Sequence, residues 1–220
     1  SMPKQSDKAL GDAFLRNRGI DPELVKGYQV VAGTKYFGGE GEHSAVGFAY
    51  GENEAIKWRS VEGKLFIQEG RAGILGVIEH ADEEKTKTII ITEGECDCLA
   101  IVSAIERSPD TVVVSVPNGA PRKVSNRRVD PSEDRKFAYL WKAKSVLESA
   151  EKIILAMDSD EPGEALGEEI MRRVGRAKCY HLELPEDCKD PNEFLSKHGA
   201  DELCRAVDEA VPTPCLLYTS

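Results

Sequence analysis

TIIITEGECDCLA, residues 88–100, runs from an apolar segment directly into a group of acidic residues. Its three consecutive isoleucines predict a strand that is buried on both faces. Gly94 permits a tight turn, and a helical pattern follows it. Glu93, Glu95 and Asp97 crowd into this turn, and carboxylates so close together repel one another unless a cation lies among them. The stretch therefore predicts a strand, a turn and a helix, with a candidate cation site at the turn.

The second half of the chain repeats this alternation. Further apolar runs lie at 111–116, 152–157 and 178–184, and helical patterns lie at 96–107, 133–149 and 163–175. Strands that alternate with helices predict a parallel sheet with right-handed crossovers. Ligands of such sheets bind beyond the carboxyl ends of the strands, so the residues just after each strand are the ones to consider for function.

Acidic residues follow three of the four predicted strands. Asp158 and Asp160 come directly after the third, where acids separated by one residue share a face, and Asp190 precedes Pro191 at a helix start. Such oxygen ligands suit Mg²⁺, with Mn²⁺ as a substitute. Each motif alone is also typical of helix capping or of a solvent-facing turn. The ordered set on successive strand ends favours a magnesium site and phosphoryl chemistry.

The first half has a different pattern. A helical pattern covers about 7–18, and Asp21 with Pro22 predicts a second short helix. Short alternating segments punctuated by glycine follow at 28–33, 45–50, 54–60 and 64–70. These predict a small antiparallel sheet in an α+β arrangement. The polar stretch 79–87 is interpreted as a linker or crossover between the halves.

Charge is unevenly distributed along the 220 residues. The net charge of -10 excludes a generic nucleic-acid coat, because an acidic surface repels a polyanion. Residues 121–145 nevertheless carry eight basic side chains against three acidic ones. Among them, Arg122 and Lys123 follow a strand end and are predicted to contact phosphate, and Arg127 and Arg128 extend the candidate nucleic-acid-binding surface. A solvated helix and loop is the alternative interpretation.

The cysteines and the apolar segments constrain the setting of the protein. Six cysteines are scattered without the paired spacing of a zinc site, so we predict no zinc and a reducing, cytoplasmic location. No apolar stretch approaches the roughly 20 residues that span a bilayer, so no membrane partner is expected. The chain opens with Ser1 and Met2 ahead of a polar segment, and we expect that sequence precedes it in the parent protein.

Four motifs in fixed order carry a resemblance to a known family. ITEGECDCLA, SVPNGAP, ILAMDSDEPG and KDPNEFL resemble the motifs of the Toprim domain, and more narrowly those of the primase region of phage-type primase-helicases and Twinkle-like proteins. Upstream, AIKWRS and GKLFIQEG resemble the basic subdomain that completes the RNA-polymerase module of these primases. The resemblance implies a basic α+β subdomain at 1–80, a Rossmann-like Toprim domain at 88–210, and the start of a linker to a helicase domain at 211–220.

The resemblance also implies residue roles. Glu93 would be the catalytic glutamate, as metal ligand or general base, and Asp158 and Asp160 the metal-binding pair. Asp97 and Asp190 are further metal-site candidates. The basic positions that would hold the nucleotide triphosphate or the template are Lys57, Arg59 and Lys64.

The implied function is Mg²⁺-dependent synthesis of ribonucleotide primers on single-stranded DNA. The expected partners are single-stranded DNA, ribonucleoside triphosphates and a C-terminal ring helicase domain that is absent from this chain. Two features depart from the family, because the chain has neither a zinc-binding module nor the Walker A sequence that helicase-type ATP hydrolysis needs. A non-catalytic DNA-binding front end of a replicative helicase is therefore an alternative, and a Toprim nuclease is a third.

Overall fold

Two sheets organise the protein. The computed structural model describes residues 5–51, 55–70, 76 and 81–214. Within them, a four-stranded antiparallel sheet precedes a five-stranded sheet that is parallel except at one edge. The prediction of a small α+β part followed by a parallel α/β sheet is confirmed.

The antiparallel sheet follows helix α1 (Gln5–Arg16). Its strands are β1 (Val30–Tyr36), β2 (Glu42–Tyr50), β3 (Ala55–Ser60) and β4 (Phe66–Gly70), each paired with the next. Trp58 of β3 is buried on one face with Phe37 and Ala45. Because successive side chains of a strand point to opposite faces, Lys57 and Arg59 lie on the other face, which is directed toward the second sheet.

The second sheet has the order β6-β5-β7-β8-β9. Its strands are β5 (Thr88–Thr92), β6 (Thr111–Ser115), β7 (Lys152–Ala156), β8 (Cys179–His181) and β9 (Val211–Pro212), and its helices are α2 (Glu95–Ala104), α3 (Ala138–Lys142), α4 (Lys144–Ser149), α5 (Glu161–Val174), α6 (Pro191–His198) and α7 (Ala200–Asp208). The central strands β5 and β7 pair in register, with Thr92 opposite Ala156. The residues that follow these two strands therefore emerge side by side at one edge.

One hydrophobic core joins the two sheets. Phe14 of α1 and Val46 of β2 belong to the same buried cluster as Leu99 of α2 and Leu203 of α7. Burying apolar surface stabilises a protein by roughly 25 cal/mol per Å². The shared core therefore favours this arrangement over two separate units. The core thus contains residues from both sides of the predicted linker at 79–87, of which residues 79 and 80 lie outside the described part. The domain boundaries remain a prediction.

The short helix predicted at Asp21 and Pro22 is wrong. Residues 22–27 form turns, in which the Leu24 amide donates to the Asp21 carbonyl at 3.1 Å and the Tyr28 amide to the Val25 carbonyl at 2.9 Å. The Asp21 side chain does accept a local bond from the Glu23 amide at 3.0 Å, as an Asx turn. The segment instead buries Val25 in the main core, which a short exposed helix would not achieve.

Three boundaries also differ from the sequence prediction. The helix predicted at 133–149 is divided at Ala143 into α3 and α4, and the strand predicted at 178–184 is only three residues long as β8. Residues 211 and 212, assigned above to the start of a linker, form β9 against β8. The remainder of that predicted linker from residue 215 onward lies outside the described residues.

Candidate metal centre

The acidic residues predicted from the strand ends lie at one edge of the parallel sheet. Glu93 follows Thr92 at the end of β5, and Asp158 follows the neighbouring strand β7 after one intervening residue. Because β5 and β7 are parallel and in register, the two side chains meet beyond the same sheet edge. Burial raises the pKa of Glu93, and the negative charge of Asp158 adds to that rise.

Glu93 is held in a half-buried position with an unusual protonation equilibrium. Its Oε2 is buried without a hydrogen-bond partner. Burial, followed by the negative charges of Asp158 and Asp160, raises the pKa of Glu93 to about 7, and the ammonium of Lys189 opposes the rise. A carboxyl with this pKa can accept or release a proton near neutral pH.

Asp158 and Asp160 occupy the turn between β7 and α5. Asp158 Oδ1 is buried without a hydrogen-bond partner, and burial together with the charge of Asp190 raises its pKa. Asp160 caps α5, since its Oδ1 accepts the Gly163 amide at 2.9 Å. Gly163 has no substitute here, because an added Cβ would lie 2.1 Å from the Asp158 carbonyl oxygen. The close approach of this helix fixes both aspartates.

Asp97 and Asp190 form a second pair behind the first. Asp97 is only 8% exposed, and its Oδ1 accepts the Asn192 amide at 3.1 Å. Burial and then the charges of Asp190 and Asp158 raise the pKa of Asp97 well above its ordinary value. Asp190 caps α6, with its Oδ1 accepting the Glu193 amide at 2.8 Å. The helix start predicted at Asp190 thus brings that acid to the same site.

Lys189 lies among these acids and was not identified from the sequence. Its Nζ is 3.4 Å from Asp158 Oδ2 and 3.3 Å from Asp160 Oδ2. The only sequence signal was its position beside Asp190 in KDPNEFL. Its placement depends on a contact between two loops, because the Ser159 amide donates to the Lys189 carbonyl at 2.8 Å.

The donor set fits a hard divalent cation. Among the buried side-chain atoms in the described part of the chain, Glu93 Oε2 and Asp158 Oδ1 are two of the few that lack a hydrogen-bond partner. A buried carboxylate oxygen without a partner is costly unless it is protonated or bound to a cation. Carboxylate oxygens with room for water are the ligands that Mg²⁺ prefers. The residues present therefore fit the predicted magnesium ion.

The acids are nevertheless spread apart around Lys189. In the described residues, no three of these acids bring carboxylate oxygens within 4.8 Å of one another, whereas Asp187, Cys188 and His198 do bring their ligand atoms that close. In that second group, His198 Nε2 lies 2.9 Å from Asp187 Oδ1, a contact that lowers the pKa of the exposed Asp187. Like charges repel one another, and in the acidic site the Lys189 ammonium lies between two of the carboxylates.

The basic residues of the antiparallel sheet are only partly brought to the site. Lys57 forms an ion pair with Glu95 in the first turn of α2. The Lys57 Nζ also lies 5.4 Å from the centre of the Tyr50 ring. Arg59, on the same face of the sheet as Lys57, lies 5.6 Å from the centre of the exposed Phe66 ring. Lys64 is exposed in the turn after β3, apart from these contacts.

The basic loop after β6 is exposed and held by α5. Arg122, Lys123, Arg127 and Arg128 are all exposed. Arg172 donates to the Ser125 carbonyl at 2.7 Å and to the Arg127 carbonyl, and the Ser125 amide donates to Glu169. Since Arg172 lies eleven residues after the start of α5, this anchor is roughly 16 Å along the helix from the acidic end. The structure thus separates the Arg127 backbone from the acids.

A buried ionic network supports the residues of α5 that hold this loop. The network was not predicted from the sequence. Arg173 Nε lies 2.6 Å from Asp134 Oδ2, and its NH1 lies 2.5 Å from Glu169 Oε2. Trp141 also donates to Asp134 at 2.9 Å, and the Arg173 guanidinium lies 3.8 Å from the Phe137 ring centre. The spacing of Glu169 and Arg173 by four residues on a helix was the available signal.

Comparison with known proteins agrees with this fold. The family model described as Toprim-like matches residues 90–195. The chain therefore carries a Toprim-like domain, and it is related in sequence to Twinkle and primase homologues.

Two curated relatives come from Arabidopsis thaliana. The Twinkle homolog protein, chloroplastic/mitochondrial, is 40% identical over 187 residues, which are 80% of this chain and 25% of the relative. The primase homolog protein is 37% identical over 178 residues, which are 77% of this chain and 51% of the relative. The chain thus spans a quarter to about half the length of these relatives.

Solved structures share the fold at low sequence identity. The primase fragment of the bacteriophage T7 primase-helicase superposes with a TM-score of 0.60 and 23% identity, covering 88% of this chain and 72% of that one. The RNA polymerase domain of a Mycobacterium tuberculosis primase in complex with double-stranded DNA gives a TM-score of 0.63 and 14% identity, covering 94% of this chain and 76% of that one.

Within the described residues, no helix combines the length and the apolar character that crossing a membrane would demand.

Proposed function

We propose that this chain is the catalytic primase part of a larger protein, which joins ribonucleotides on a single-stranded DNA template in the presence of Mg²⁺ or Mn²⁺. The observation that carries the proposal is the pair of buried, partnerless oxygens on Glu93 and Asp158 at the ends of adjacent parallel strands. The family resemblance supplies the reaction class, and the donor chemistry supplies the reason for the metal.

Each acid has a distinct proposed role. Asp158 and Asp160 hold the metal, with Asp97 and Asp190 as further ligands or supports from behind. When bound, the metal would neutralise charge on the transferring phosphoryl group and favour ionisation of the attacking hydroxyl. Glu93 would take the proton of a primer 3′-hydroxyl. Burial and the charges of Asp158 and Asp160 raise its pKa to about 7 without metal, and a bound cation would lower that pKa and favour the ionised form that accepts a proton.

The basic residues are proposed to bind the polyanionic partners. Support for Lys57 comes from its ion pair with Glu95, which lies two residues after Glu93 in the sequence, and Arg59 lies on the same face of the sheet as Lys57. With the exposed Lys64, they would contact the triphosphate. The exposed loop with Arg122, Lys123, Arg127 and Arg128 would contact the DNA backbone.

A second candidate function keeps DNA binding without the reaction. It is favoured by the separate anchoring of the basic loop on Arg172 and Glu169, which does not involve the acidic site. In that case, the chain serves as a DNA-binding front end for a ring helicase domain. Both functions place the protein in DNA replication.

The reaction is tested by incubating the chain with single-stranded DNA, Mn²⁺ or Mg²⁺ and labelled ribonucleotides, and by resolving the products on a gel. We expect short RNA products from the wild type and none from Asp158→Asn or Asp160→Asn. Asp201→Asn, a change of an exposed acid on α7, is the matched control and should leave the products unchanged. DNA binding without products, in the chain and in its full-length parent alike, would support the second candidate instead.

A further inference from the structure

Lys189 places a cation between the two acids of the DxD motif. Its Nζ lies 3.4 Å from Asp158 Oδ2 and 3.3 Å from Asp160 Oδ2, so a single ammonium bridges both carboxylates. The Lys189 side chain is 55% exposed. The ammonium can therefore move to solvent by rotation of its side chain without disturbing the core.

The backbone around Lys189 is fixed. The Ser159 amide and hydroxyl donate to the Lys189 carbonyl at 2.8 and 3.2 Å, and the Lys189 amide donates to Glu193 Oε2 at 2.9 Å. The loop before α6 is thereby locked onto the loop before α5. Only the side chain of Lys189 is free to leave the acids, and it stays tethered beside them when it does.

A divalent metal and this ammonium would draw on the same two carboxylates. Among the described residues, Lys189 is the cation within salt-bridge distance of Asp158 and Asp160. Two cations bound to the same pair of carboxylates lie close enough to repel each other. The ammonium therefore opposes entry of the metal for as long as it stays between these carboxylates.

We infer that Lys189 is a tethered cation that competes with the divalent metal for Asp158 and Asp160 and thereby sets the metal affinity of the site. This inference rests on the proposed metal-binding function. In the metal-free protein, Lys189 keeps the acids neutralised. In the metal-bound protein, it is displaced toward solvent.

The test compares the Mn²⁺ affinity of the wild type with that of Lys189→Gln, measured from the electron paramagnetic resonance signal of free Mn²⁺ without nucleotide. Glutamine keeps much of the side-chain length and removes the charge. We expect Lys189→Gln to bind Mn²⁺ about tenfold more tightly, which corresponds to the loss of ~1.4 kcal/mol of competition. Lys197→Gln, which removes an exposed ion pair with Glu193 on the same helix, should leave the affinity unchanged.

The possible failures are distinguishable. Equal or weaker Mn²⁺ binding by Lys189→Gln, with wild-type binding that is abolished by Asp158→Asn, would overturn the competition while leaving the metal site intact. Absence of Asp158-dependent Mn²⁺ binding in both wild type and Lys189→Gln would overturn the metal site itself. Thermal unfolding of each variant checks that the fold is retained. We expect Lys189→Gln to retain it, because the Lys189 side chain is largely exposed.

Discussion

Glu93 and Asp158 follow neighbouring, in-register parallel strands, and each has one buried carboxylate oxygen without a hydrogen-bond partner. Two like charges in this arrangement destabilise the metal-free protein when both are ionised. The same two carboxylates are proposed to bind a divalent cation together with Asp160. The stability and the metal binding of the protein are therefore linked through these residues.

The pH dependence of the protein's stability should reveal the raised pKa of Glu93. Its folded-state pKa of about 7 lies above the ordinary value of 4.5, so folding favours the protonated form. That contribution is complete below pH 4.5 and is lost as the pH rises to about 7. For a half-buried group, we expect the loss to be at most ~2 kcal/mol after solvent screening.

The measurement is thermal unfolding of the metal-free chain between pH 4.5 and 8. Glu93→Gln should raise the melting temperature at pH 8 by roughly 2–4 °C per kcal/mol recovered and flatten the pH profile. Glu62→Gln, a change of an exposed residue in the turn after β3, is the control and should not. An identical pH profile for Glu93→Gln and the wild type would contradict the assigned pKa shift.

Gly163 should be intolerant of alanine. The added Cβ would lie 2.1 Å from the Asp158 carbonyl oxygen, so Gly163→Ala must displace the β7 to α5 turn. We expect a loss of roughly 2 kcal/mol or more in the free energy of unfolding, together with weaker metal binding.

The same helix offers the matched control for that change. At Gly167, an added Cβ meets Met157 Cγ at 3.6 Å, an ordinary contact. Gly167→Ala should therefore leave stability unchanged or raise it by up to ~1 kcal/mol through helix propensity. Urea denaturation of both variants checks the pair, and equal stability of the two would be inconsistent with the close approach described here.

Two substitutions of Asp160 should separate the capping role of this residue from the role of its charge. Asparagine and aspartate cap helices comparably, whereas alanine does not. Asp160→Ala should therefore unfold with ~1 kcal/mol less stability than Asp160→Asn, because the bond to the Gly163 amide is lost only in alanine. Both variants should lose Mn²⁺ affinity equally, as measured by titration. Retention of affinity by Asp160→Asn would remove Asp160 from the proposed ligands.

The network of Glu169, Arg173 and Asp134 should control the basic loop. Glu169 is 1% exposed, and the hydrogen bonds it accepts outweigh the opposing effect of burial and lower its pKa. Arg173→Met removes the cation shared by two buried carboxylates, although Glu169 keeps its ion pair with Arg172 and Asp134 keeps the bond from Trp141, and we expect a loss of about 3 kcal/mol. Arg176→Met, which breaks the more exposed pair with Glu168, should cost at most ~1 kcal/mol.

Limited trypsin digestion reports on the same network. Cleavage after Arg127 and Arg128 should accelerate in Arg173→Met at temperatures where the chain remains folded, because Glu169, which accepts the Ser125 amide of the loop, loses its ion pair with Arg173. Since the pKa of Glu169 is lowered, the stabilisation that it provides is lost as the pH falls through its folded pKa. Unchanged cleavage rates would show that the loop is held by other contacts.

Local patterns predicted the sheet and its acidic edge. The apolar runs before Glu93 and Asp158 indicated the strands, which the structure confirms as parallel and in register, so that the acids after them emerge at the same sheet edge. The positions of Asp160 and Asp190 at helix starts were also predictable, because acids before Pro-containing helix starts commonly cap.

Contacts between distant segments were not predictable. Lys189 reaches the acids through a loop contact with Ser159, and Asp134 joins Arg173 across 39 residues. No local pattern encodes such distances. The turn at Asp21 satisfied the rules for a helix start, yet burial of Val25 in a core shared with the second sheet outweighed that local preference. Packing thus decided what the sequence signals left open.

Anomalous diffraction from crystals soaked in Mn²⁺ tests the central claim most directly. We predict one strong peak bonded to carboxylate oxygens of Asp158 and Asp160, close to Glu93, with the Lys189 ammonium moved away from both. Carboxylates that remain apart around Lys189, with no anomalous peak between them at millimolar Mn²⁺, would contradict the claim that these strand ends form a metal centre.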